Sequence, residues 1–456
     1  MTRDRALPEG WQEFTVSSVC QVNPPKPDTR SVADETPVMF VPMAAVDEVT
    51  GEITASEDRS LADVREKSYK TFSSGDVLFA KITPCMENGK AAVVPPIASG
   101  LGFGSTEFHV LRPGPSIERR YLWHFVRQQT YRQRAEQNMT GSVGQARVPK
   151  EFVEQTVIPL PPLDIQRELV ATLDLVNSKG ASAAARLAIA KAKTERFRQA
   201  VLAAACSGQL TADWRNEHPH HAGGVAPSRR LEIDRLADTP ESWTWVQLQD
   251  IAEVRGGIQK GAKQRPDEST RAVPYLRVAN VQRGWLDLSE IKTISASDTK
   301  IRDLTLRPGD ILFNEGGDRD KLGRGWVWEG QIEECIHQNH VFRARLLDSA
   351  MQPRFYSWYG NIYGASYFSD QGKQTVNLAS LSMTKLKELP VPVPSVEEQA
   401  EIVRRVNECL AVFDRLRARV DTAARRVDRS LEAVLAKAFR GDLIGVSKNG
   451  GDSGVA

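Results

Sequence analysis

The segment LDIQRELVATLDLVNSKGASAAARLAIAKAKTERFRQAVLAAACSG, residues 163–208, decides the fold of this chain. Apolar and small residues recur in it at alternating steps of four and three for about five heptads, which is the seam of a coiled coil. No proline interrupts the run. The larger seam residues are Leu169, Leu173, Leu187, Phe197 and Val201. The pattern predicts one long amphipathic helix, which needs a partner to cover its apolar stripe.

The same rhythm returns 233 residues later, near the end of the chain. Its larger seam residues are Val406, Phe413, Leu416, Val420 and Val427. Each copy is preceded by alternating prolines, at 158–162 and 391–394, and followed by a glycine, Gly208 or Gly441. The prolines predict extended, stiff segments, because proline can neither continue a helix nor donate within a central sheet. The glycines predict left-handed caps that end the two helices.

The duplication also covers the rest of the chain. The segment LPEGW at 7–11 corresponds to TPESW at 239–243, and SGDVLF at 74–79 corresponds to PGDILF at 308–313. The offset between matching positions stays within 232–234 residues throughout. Such regularity indicates one unit written twice, each copy being a globular domain of roughly 150 residues followed by a long helix.

We predict the α/β (mixed α+β) fold class, in which short apolar runs bounded by Gly, Pro and Asp form strands. Helices are predicted at 121–135 and 354–359. The linker is expected to be exposed and polar, with some helix at 229–236. The predicted segments are a first globular domain (1–158), a central helix (159–210), a linker (211–239), a second globular domain (240–390), a C-terminal helix (391–444) and a disordered tail (445–456).

The two helices can pair with each other inside one chain, because a whole globular domain joins them. Antiparallel pairing would hold two similar domains around a pseudo-twofold axis, an arrangement suited to a target that repeats along a line, such as duplex DNA. The small residues Gly180, Ala183 and Ala190 are expected to face the large Phe413, Leu416 and Val420. A parallel homodimer of each helix is the alternative.

Composition excludes several classes of protein. The 456 residues are 41% hydrophobic and 26% charged, with a formal net charge of +2, as in an ordinary globular protein. We find no apolar run of about 18 residues and no signal-peptide pattern, and expect a cytoplasmic protein. The five cysteines form no C-x-x-C pair, so we expect neither a disulfide framework nor a metal site.

The motifs that could support catalysis are weak. NPPK at 23–26 has Lys26 where adenine methyltransferases carry an aromatic residue, and no phosphate-binding G-x-x-x-x-G-K-[ST] loop is present. The histidines at 218, 220 and 221 are interpreted as an incidental cluster. Asp310 and Glu315 could form an acidic pair, but a turn-capping role is the better interpretation for Asp310. We therefore predict no catalytic residue.

Loops rich in Gly, Lys, Arg, Asn and Gln are more informative. Glycine lets backbone N–H groups approach phosphates, Lys and Arg release counterions, and Arg, Asn and Gln can read base edges. The candidate DNA-binding residues are Lys81, Asn88, Lys90, Gln145, Arg147, Arg255, Gln259, Lys260, Lys263, Arg319, Lys321, Arg324, Lys373, Gln374 and Asn377.

Four features together resemble the specificity subunits of type I restriction–modification enzymes. They are the openings ending in Trp11 and Trp243, the duplicated GD[V/I]LF strands, the alternating prolines before each long helix (the proline ladders), and the helix ends SGQL and RGDL. The resemblance implies two target-recognition domains that read a split, asymmetric DNA site, and two helices that set the gap between its halves. It also implies modification subunits that methylate adenine with S-adenosylmethionine, and restriction subunits that use ATP and Mg²⁺.

Other functions remain open at this point. A recognition module of a solitary or type IIG-like methyltransferase would need the same domains without a restriction subunit. A coiled-coil adaptor that binds proteins instead of DNA would use the helices and leave the basic loops without a role.

Overall fold

The computed structural model describes residues 7–142, 144–221, 237–259, 269–317, 322–371, 373–375 and 378–443. The chain forms two compact units. Unit 1 contains residues 1–190 and 419–456, and unit 2 contains residues 191–418. Each unit therefore combines one globular domain with a part of both long helices. Some predicted features lie outside the described residues, namely the candidates Lys260, Lys263, Arg319, Lys321 and Asn377, the helix at 229–236 and the tail at 445–456.

Unit 1 is built on two four-stranded sheets, in the strand orders β2-β9-β6-β7 and β4-β3-β8-β5, and on the two-stranded pair β1-β10. Its elements in chain order are β1 (Gln12–Thr15), α1 (Val16–Val19), β2 (Cys20–Val22), β3 (Pro37–Val41), a 3-10 helix (Met43–Ala45), β4 (Glu57–Ser60), α2 (Leu61–Arg65), β5 (Lys70–Phe72), β6 (Val77–Ala80), β7 (Ala91–Val93), β8 (Gly102–Gly104), β9 (Phe108–Pro113), α3 (Arg119–Arg127), α4 (Gln129–Gln137), α5 (Lys150–Gln155), β10 (Val157–Leu160) and the long helix α6 (Leu163–Cys206), which continues into unit 2.

Unit 2 repeats this plan with the sheet β12-β21-β17-β19, the sheet β16-β13-β20 and the pair β11-β24, and adds β14-β15 and β18-β23-β22. Its elements are a 3-10 helix (Gln209–Thr211), α7 (Ala212–Glu217), a 3-10 helix (Pro219–His221), β11 (Thr244–Gln247), α8 (Leu248–Ile251), β12 (Ala252–Arg255), β13 (Thr270–Leu276), β14 (Val281–Gln282), β15 (Trp285–Leu286), β16 (Lys292–Ser297), α9 (Asp298–Leu304), β17 (Ile311–Asn314), β18 (Gly316–Gly317), β19 (Gly325–Val327), β20 (Ile336–His337), β21 (Val341–Leu346), α10 (Pro353–Ile362), α11 (Gly364–Gln371), β22 (Lys373–Thr375), β23 (Leu378–Ser380), α12 (Met383–Lys387), β24 (Pro390–Val393) and the long helix α13 (Val396–Phe439).

The duplicated VLF and ILF strands are the centres of the two domains. In β6, Val77 and Phe79 enter a core shared with α3 and α6, while Leu78 enters a second core against the other sheet. In β17, Phe313 and Leu312 divide between two cores in the same way. A strand that is buried on both faces has a continuous apolar sequence, which explains why these short runs stand out.

The proline ladders and terminal glycines have the predicted conformations. Pro159 and Pro392 lie in the two-stranded pairs, where β10 and β24 extend antiparallel to β1 and β11. Gly208 and Gly441 adopt left-handed φ angles of 77° and 76° beyond the ends of α6 and α13. A Cβ at Gly208 would lie 2.7 Å from the ring of Pro240, so glycine is required there for packing as well as for conformation.

Buried glutamines join each domain to the start of its helix. The side-chain oxygen of Gln166 accepts a hydrogen bond from the Glu118 N–H at 2.8 Å. The side-chain oxygen of Gln399 accepts one from the Gln352 N–H at 2.9 Å. Both glutamines are completely buried. Because a buried amide without a partner is costly, these bonds fix the place of each domain on its helix.

The two long helices pack against each other, and the contacts inside each unit run antiparallel. In unit 1 the start of α6, at Leu169 and Leu173, shares a core with Ala438 and Phe439 at the end of α13. In unit 2 the end of α6 likewise shares a core with the start of α13. The predicted intramolecular antiparallel pairing is confirmed.

The observed side-chain partners differ from the expected ones at two places along the helices. Gly180 faces Leu431, since a Cβ on Gly180 would lie 2.8 Å from the Leu431 Cδ1, and Leu431 is outside the predicted seam. Phe413 packs edge-on against Phe197, with ring centroids 5.0 Å apart. Phe197 and Leu416 are nevertheless 59% and 42% exposed. The antiparallel register, which the heptad pattern does not determine, decides these pairings.

The predicted linker also needs correction at its beginning. Residues 212–217 form α7, and this helix is anchored to the start of α13. Thr211 donates to the carboxylate of Glu398 at 2.8 Å, and Arg215 forms an ion pair with the same carboxylate. Glu398 is buried. The first part of the linker is therefore a packed element of unit 2.

Candidate nucleic-acid interface

Three segments of unit 1 meet at one edge of the β2-β9-β6-β7 sheet. The N–H of Lys81, directly after β6, donates to the carbonyl of Glu107 at 2.9 Å, and the carbonyl of Lys81 accepts from the Val148 N–H at 2.8 Å. The loop between α4 and α5 closes through a backbone bridge between Thr140 and Arg147. The structure therefore brings together the loops that carry the candidates Lys81, Gln145 and Arg147.

A buried histidine holds the base of this edge. His109 Nε2 lies 2.8 Å from the carbonyl of Val148, and His109 Nδ1 lies 3.0 Å from Asn23 Nδ2. Burial lowers the pKa of His109 to about 4, so the ring is neutral and donates through Nε2. The Asn23 side chain also accepts from the Val110 N–H at 3.1 Å. The asparagine of the NPPK motif thus joins β9 to the buried histidine.

Arg147 is held by an ion pair. Its guanidinium donates through Nε and Nη2 to the two oxygens of Glu107, both at 2.9 Å. These hydrogen bonds keep the pKa of Glu107 below its usual range. Neighbouring Gln145 is exposed. A DNA contact by Arg147 would therefore start from a fixed guanidinium, whereas Gln145 is accessible without rearrangement.

The candidates Asn88 and Lys90 lie on the same loop as Lys81, between β6 and β7. Asn88 is exposed, and its Nδ2 donates to Glu48 at 3.1 Å. Lys90 is half-buried, and its N–H donates to the carbonyl of Cys85 at 3.1 Å.

Unit 2 repeats the backbone of this edge with different side chains. The N–H of Glu315 donates to the carbonyl of His340 at 2.9 Å, and the carbonyl of Glu315 accepts from the Leu381 N–H at 2.7 Å. Lys373 pairs with Ser380 as Thr140 pairs with Arg147. The backbone pairing of the two loops is therefore equivalent. Of the candidates Lys373 and Gln374 only the backbone is described.

The remaining described candidates of unit 2 lie at two other places. Arg255 ends β12 and forms an ion pair with Glu253 at 2.6 Å. Together with Gln259 it lines a cavity of about 500 Å³. Gly257 lies between them, and a Cβ there would be 1.9 Å from the carbonyl oxygen of His337, so only glycine fits. Arg324 reaches the carbonyl of Val278 at 3.4 Å.

Asp310 and Glu315 are each engaged in a pair of their own. Asp310 accepts from Arg345 at both oxygens, at 2.7 Å each, and from the Arg307 N–H at 2.7 Å, while Glu315 pairs with His340. Within the described ranges, no group of three or more His, Cys, Asp or Glu side chains could hold a metal ion. No helix in the described part of the chain is long and apolar enough to cross a membrane.

Sequence reasoning missed three residues at the edge of unit 1: Glu107, His109 and Lys150. Lys150 follows Arg147 by three residues and could have been found by extending the candidate loop. Glu107 and His109 gave no signal, because their roles depend on partners about 40 residues away.

Lowering the pH from 7 towards 4 is expected to destabilise both units, through His109 in unit 1 and His337 in unit 2. Burial lowers the pKa of each to about 4, whereas an unfolded histidine titrates near 6.5. The unfolded state binds more protons between those values, so this stability is complete above about pH 6.5 and lost towards pH 4, by about 3 kcal/mol per histidine. Urea unfolding at pH 7 and pH 5 measures the loss.

Carboxylates with lowered pKa values act in the same direction, so variants are needed to isolate the histidines. His109→Gln and His337→Gln should each flatten the pH dependence, while replacement of the exposed His220 by Gln is the matched control. A pH dependence that is the same in all three variants would contradict the assignment.

The family follows from a match over both domains. The model of the type I restriction modification DNA specificity domain matches residues 8–186 and, a second time, residues 240–416. The chain belongs to this family. Each matched segment contains one of the two equivalent sheet edges, the one that carries Lys81 or the one that carries Glu315, and runs into one of the two long helices.

Curated members of the specificity family are similar over most of the chain. The EcoEI specificity subunit of Escherichia coli is 24% identical over 91% of this chain and 80% of its own length. The EcoKI specificity subunit of Escherichia coli K12 is 29% identical over 73% of this chain and 68% of its own length.

Solved structures have the same fold. A chain from a structural study of the assembly and conformational transition of the type I R-M system has a TM-score of 0.69 and 23% identity, covering 96% of this chain and all of that one. The HsdS subunit of Thermoanaerobacter tengcongensis has a TM-score of 0.55 and 22% identity, covering 97% of this chain and all of that one.

Proposed function

We propose that this chain is the DNA-specificity subunit of a type I restriction–modification system, and that its two domains read the two halves of a split, asymmetric DNA sequence. One observation carries the proposal. The same backbone frame occurs at the edge of both domains, but Lys81, Glu107 and Arg147 in unit 1 are replaced by Glu315, His340 and Ser380 in unit 2. Two edges that have the same backbone arrangement but different side chains are suited to reading two half-sites of different sequence.

The long helices would set the gap between the half-sites and receive the partner subunits. Support comes from large apolar side chains that α6 and α13 leave exposed, namely Leu175, Ile189, Phe197, Val412 and Leu416. A partner that packs on these side chains would remove their apolar surface from water, which favours association. The partners would be two modification subunits and the restriction subunits.

Catalysis would belong to those partners. Adenine-N6 methylation would need S-adenosylmethionine on the modification subunits, and cleavage would need ATP and Mg²⁺ on the restriction subunits. The chain itself would contribute sequence selection in the cytoplasm as part of host defence against foreign DNA. Support comes from the engagement of Asp310 and Glu315 in separate structural pairs.

Mapping of methylated adenines in the host genome tests the proposal. The expected result is a motif of two unlike half-sites with a fixed gap, which disappears when the gene for this chain is deleted and returns with the wild-type chain. Replacement of residues 140–147 by a different sequence of the same length should alter the bases recognised in one half-site and leave those of the other unchanged. Methylation that persists unchanged without this chain would overturn the proposal.

The two competing functions give different results. A solitary or type IIG-like methyltransferase module would produce the motif without a restriction gene beside it. A coiled-coil adaptor would leave genome methylation unaffected by any change at the edges of the two domains.

A further inference from the structure

Arg255 lies at the edge of unit 2 that carries Glu315. It is the last residue of β12, and it pairs with β21 close to the point where β21 begins and β17 ends. The loop that follows is held at this edge, because the Ile258 N–H donates to the carbonyl of His337 at 2.8 Å and the Asn339 N–H donates to the carbonyl of Ile258 at 2.9 Å. The Arg255 side chain, 51% exposed, is therefore part of the candidate interface.

A carboxylate and a buried guanidinium hold Arg255. Glu253 lies two residues earlier on the same face of β12, and its Oε1 forms an ion pair with Nη2 of Arg255 at 2.6 Å. The Oε2 of Glu253 accepts a hydrogen bond from Nη2 of Arg343 at 2.7 Å. Arg343 is only 1% exposed. One carboxylate thus joins a guanidinium inside the domain to a guanidinium at its surface.

Stability does not account for the burial of Arg343. Within the part of the chain that the structure describes, its Nε has no hydrogen-bond partner, and its Nη1 reaches only the carbonyl of Asp303, at 3.4 Å. Removing a guanidinium from water is costly, and an apolar residue at such a place is often neutral or stabilising. A buried cation that is only partly satisfied is explained by what its ion pair positions, which here is the side chain of Arg255.

Unit 1 has no such chain of charges. Arg112 and Arg345 are equivalent, since each binds the aspartate that precedes the central strand of its sheet. Counting from them along the paired strands, the residues of unit 1 in the places of Glu253, Arg255 and Arg343 are the uncharged Gln21, Asn23 and Val110. The arrangement is therefore a property of unit 2 and not of the backbone frame that both units share.

The space beside Arg255 suits a base better than a phosphate. The cavity of about 500 Å³ that Arg255 lines is also lined by Lys300 and Asp303. The carboxylate of Asp303 and that of Glu253 would repel a phosphate. In the described chain no hydrogen bond or ion pair engages Nε or Nη1 of Arg255, so N–H groups of its fork remain available. Guanine presents two acceptors, O6 and N7, that match such a fork in the major groove.

We propose that Arg255 reads a guanine in the half-site of unit 2 through O6 and N7, and that Arg343 is a positioning residue that holds Arg255 through Glu253. The inference rests on the proposed function and deepens it, because it names a recognised base and the residues that select it. Unit 1 reads no guanine from the equivalent position, where Asn23 Nδ2 lies 3.0 Å from Nδ1 of the buried His109.

Duplex binding by the full chain in complex with its modification subunits tests the contact. Each base pair of the half-site that does not respond to changes at 140–147 is replaced in turn. The wild type should prefer G·C at one position by about 5- to 150-fold, and Arg255→Met should lose that preference and keep the others. A duplex with 7-deazaguanine at that position lacks the N7 acceptor. It should bind the wild type more weakly than the target does, and Arg255→Met equally well.

The positioning role is tested by Arg343→Met. This substitution leaves no carboxylate buried alone, since Glu253 is 38% exposed and keeps its ion pair with Arg255. Arg343→Met should lose part of the preference at the guanine position and keep the preferences elsewhere, and Arg343→Lys should recover part of that loss. Arg271→Met is the matched control. It removes a guanidinium of unit 2 that pairs with other carboxylates, so the guanine preference should remain.

The opposite outcomes are distinct. A loss of affinity in Arg255→Met that is equal for all duplexes, with a slope of log K against log[salt] lower by about 0.9, would indicate a phosphate contact and overturn the guanine contact. The same preferences in Arg255→Met as in the wild type would also overturn it. An unchanged guanine preference in Arg343→Met, or an equal loss at all positions, would overturn the positioning role. Absence of target preference in the wild-type complex would overturn the proposed function itself.

Discussion

Replacement of Arg215 by methionine is expected to lower the free energy of unfolding of unit 2 by about 3 kcal/mol, because it leaves the buried carboxylate of Glu398 without its cation. Glu398 is only 2% exposed. Besides Arg215 it accepts hydrogen bonds from Thr211 and from Trp243 Nε1, each at 2.8 Å. The Arg215 guanidinium also donates to the Gly208 carbonyl at 2.7 Å, so the substitution removes a cap of α6 as well.

Thermal unfolding measures the effect, and a loss of that size corresponds to a decrease in Tm of roughly 6–12 °C for a unit of this length. Arg404→Met is the matched control on α13. Arg404 pairs with Glu401 at 2.7 Å, but its side chain is 55% exposed, so its loss should cost less than about 1 kcal/mol. The double variant Arg215→Met/Glu398→Leu should recover much of the stability. Equal losses for Arg215→Met and Arg404→Met would contradict this account.

The Glu398 cluster illustrates what the repeat could not predict. The duplication identified the openings at Trp11 and Trp243, the proline strands and the glycine caps, because both copies preserve them. The counterpart of Glu398 in the first copy is Ile165, so comparison of the copies offered no sign of a buried carboxylate. The carboxylate is stabilised by α7, an element that sequence reasoning assigned to an exposed linker.

The predictions for the candidate interface separate in a similar way. Glycine and basic residues led to the prediction of these loops, and the backbone bridges bring together those carrying Lys81 and Arg147. The chemical state of each side chain could not be predicted, because it depends on partners distant in sequence. Arg147, for example, is bound by Glu107, which lies 40 positions away in the sequence. A charged loop in a sequence thus indicates where contacts can form, while three-dimensional neighbours decide which charges are available.

Removal of one heptad from both long helices is expected to abolish most methylation of the native site, if the helix pair sets the gap between half-sites. Segments 183–189 of α6 and 421–427 of α13 face each other in unit 1, where Ala183 and Val427 line the same groove. Deleting both keeps the antiparallel register and shortens the pair by about 10.5 Å, or about three base pairs. Seven residues correspond to two full helical turns minus roughly 20°, so the deletion nearly preserves the orientation of the faces of each helix.

Methylation should therefore shift to duplexes whose gap is shorter by about three base pairs, while the bases of each half-site stay the same. Three base pairs also rotate one half-site by about 100° around the DNA axis, so the shifted site should be methylated less efficiently than the native one. Methylation assays on duplexes of graded gap length measure both effects. Arg186→Ala/Arg425→Ala, which keeps both helix lengths, should retain the native gap. A change in the recognised bases, or an unchanged gap after the double deletion, would contradict the assignment of spacing to the helices and of base reading to the domains.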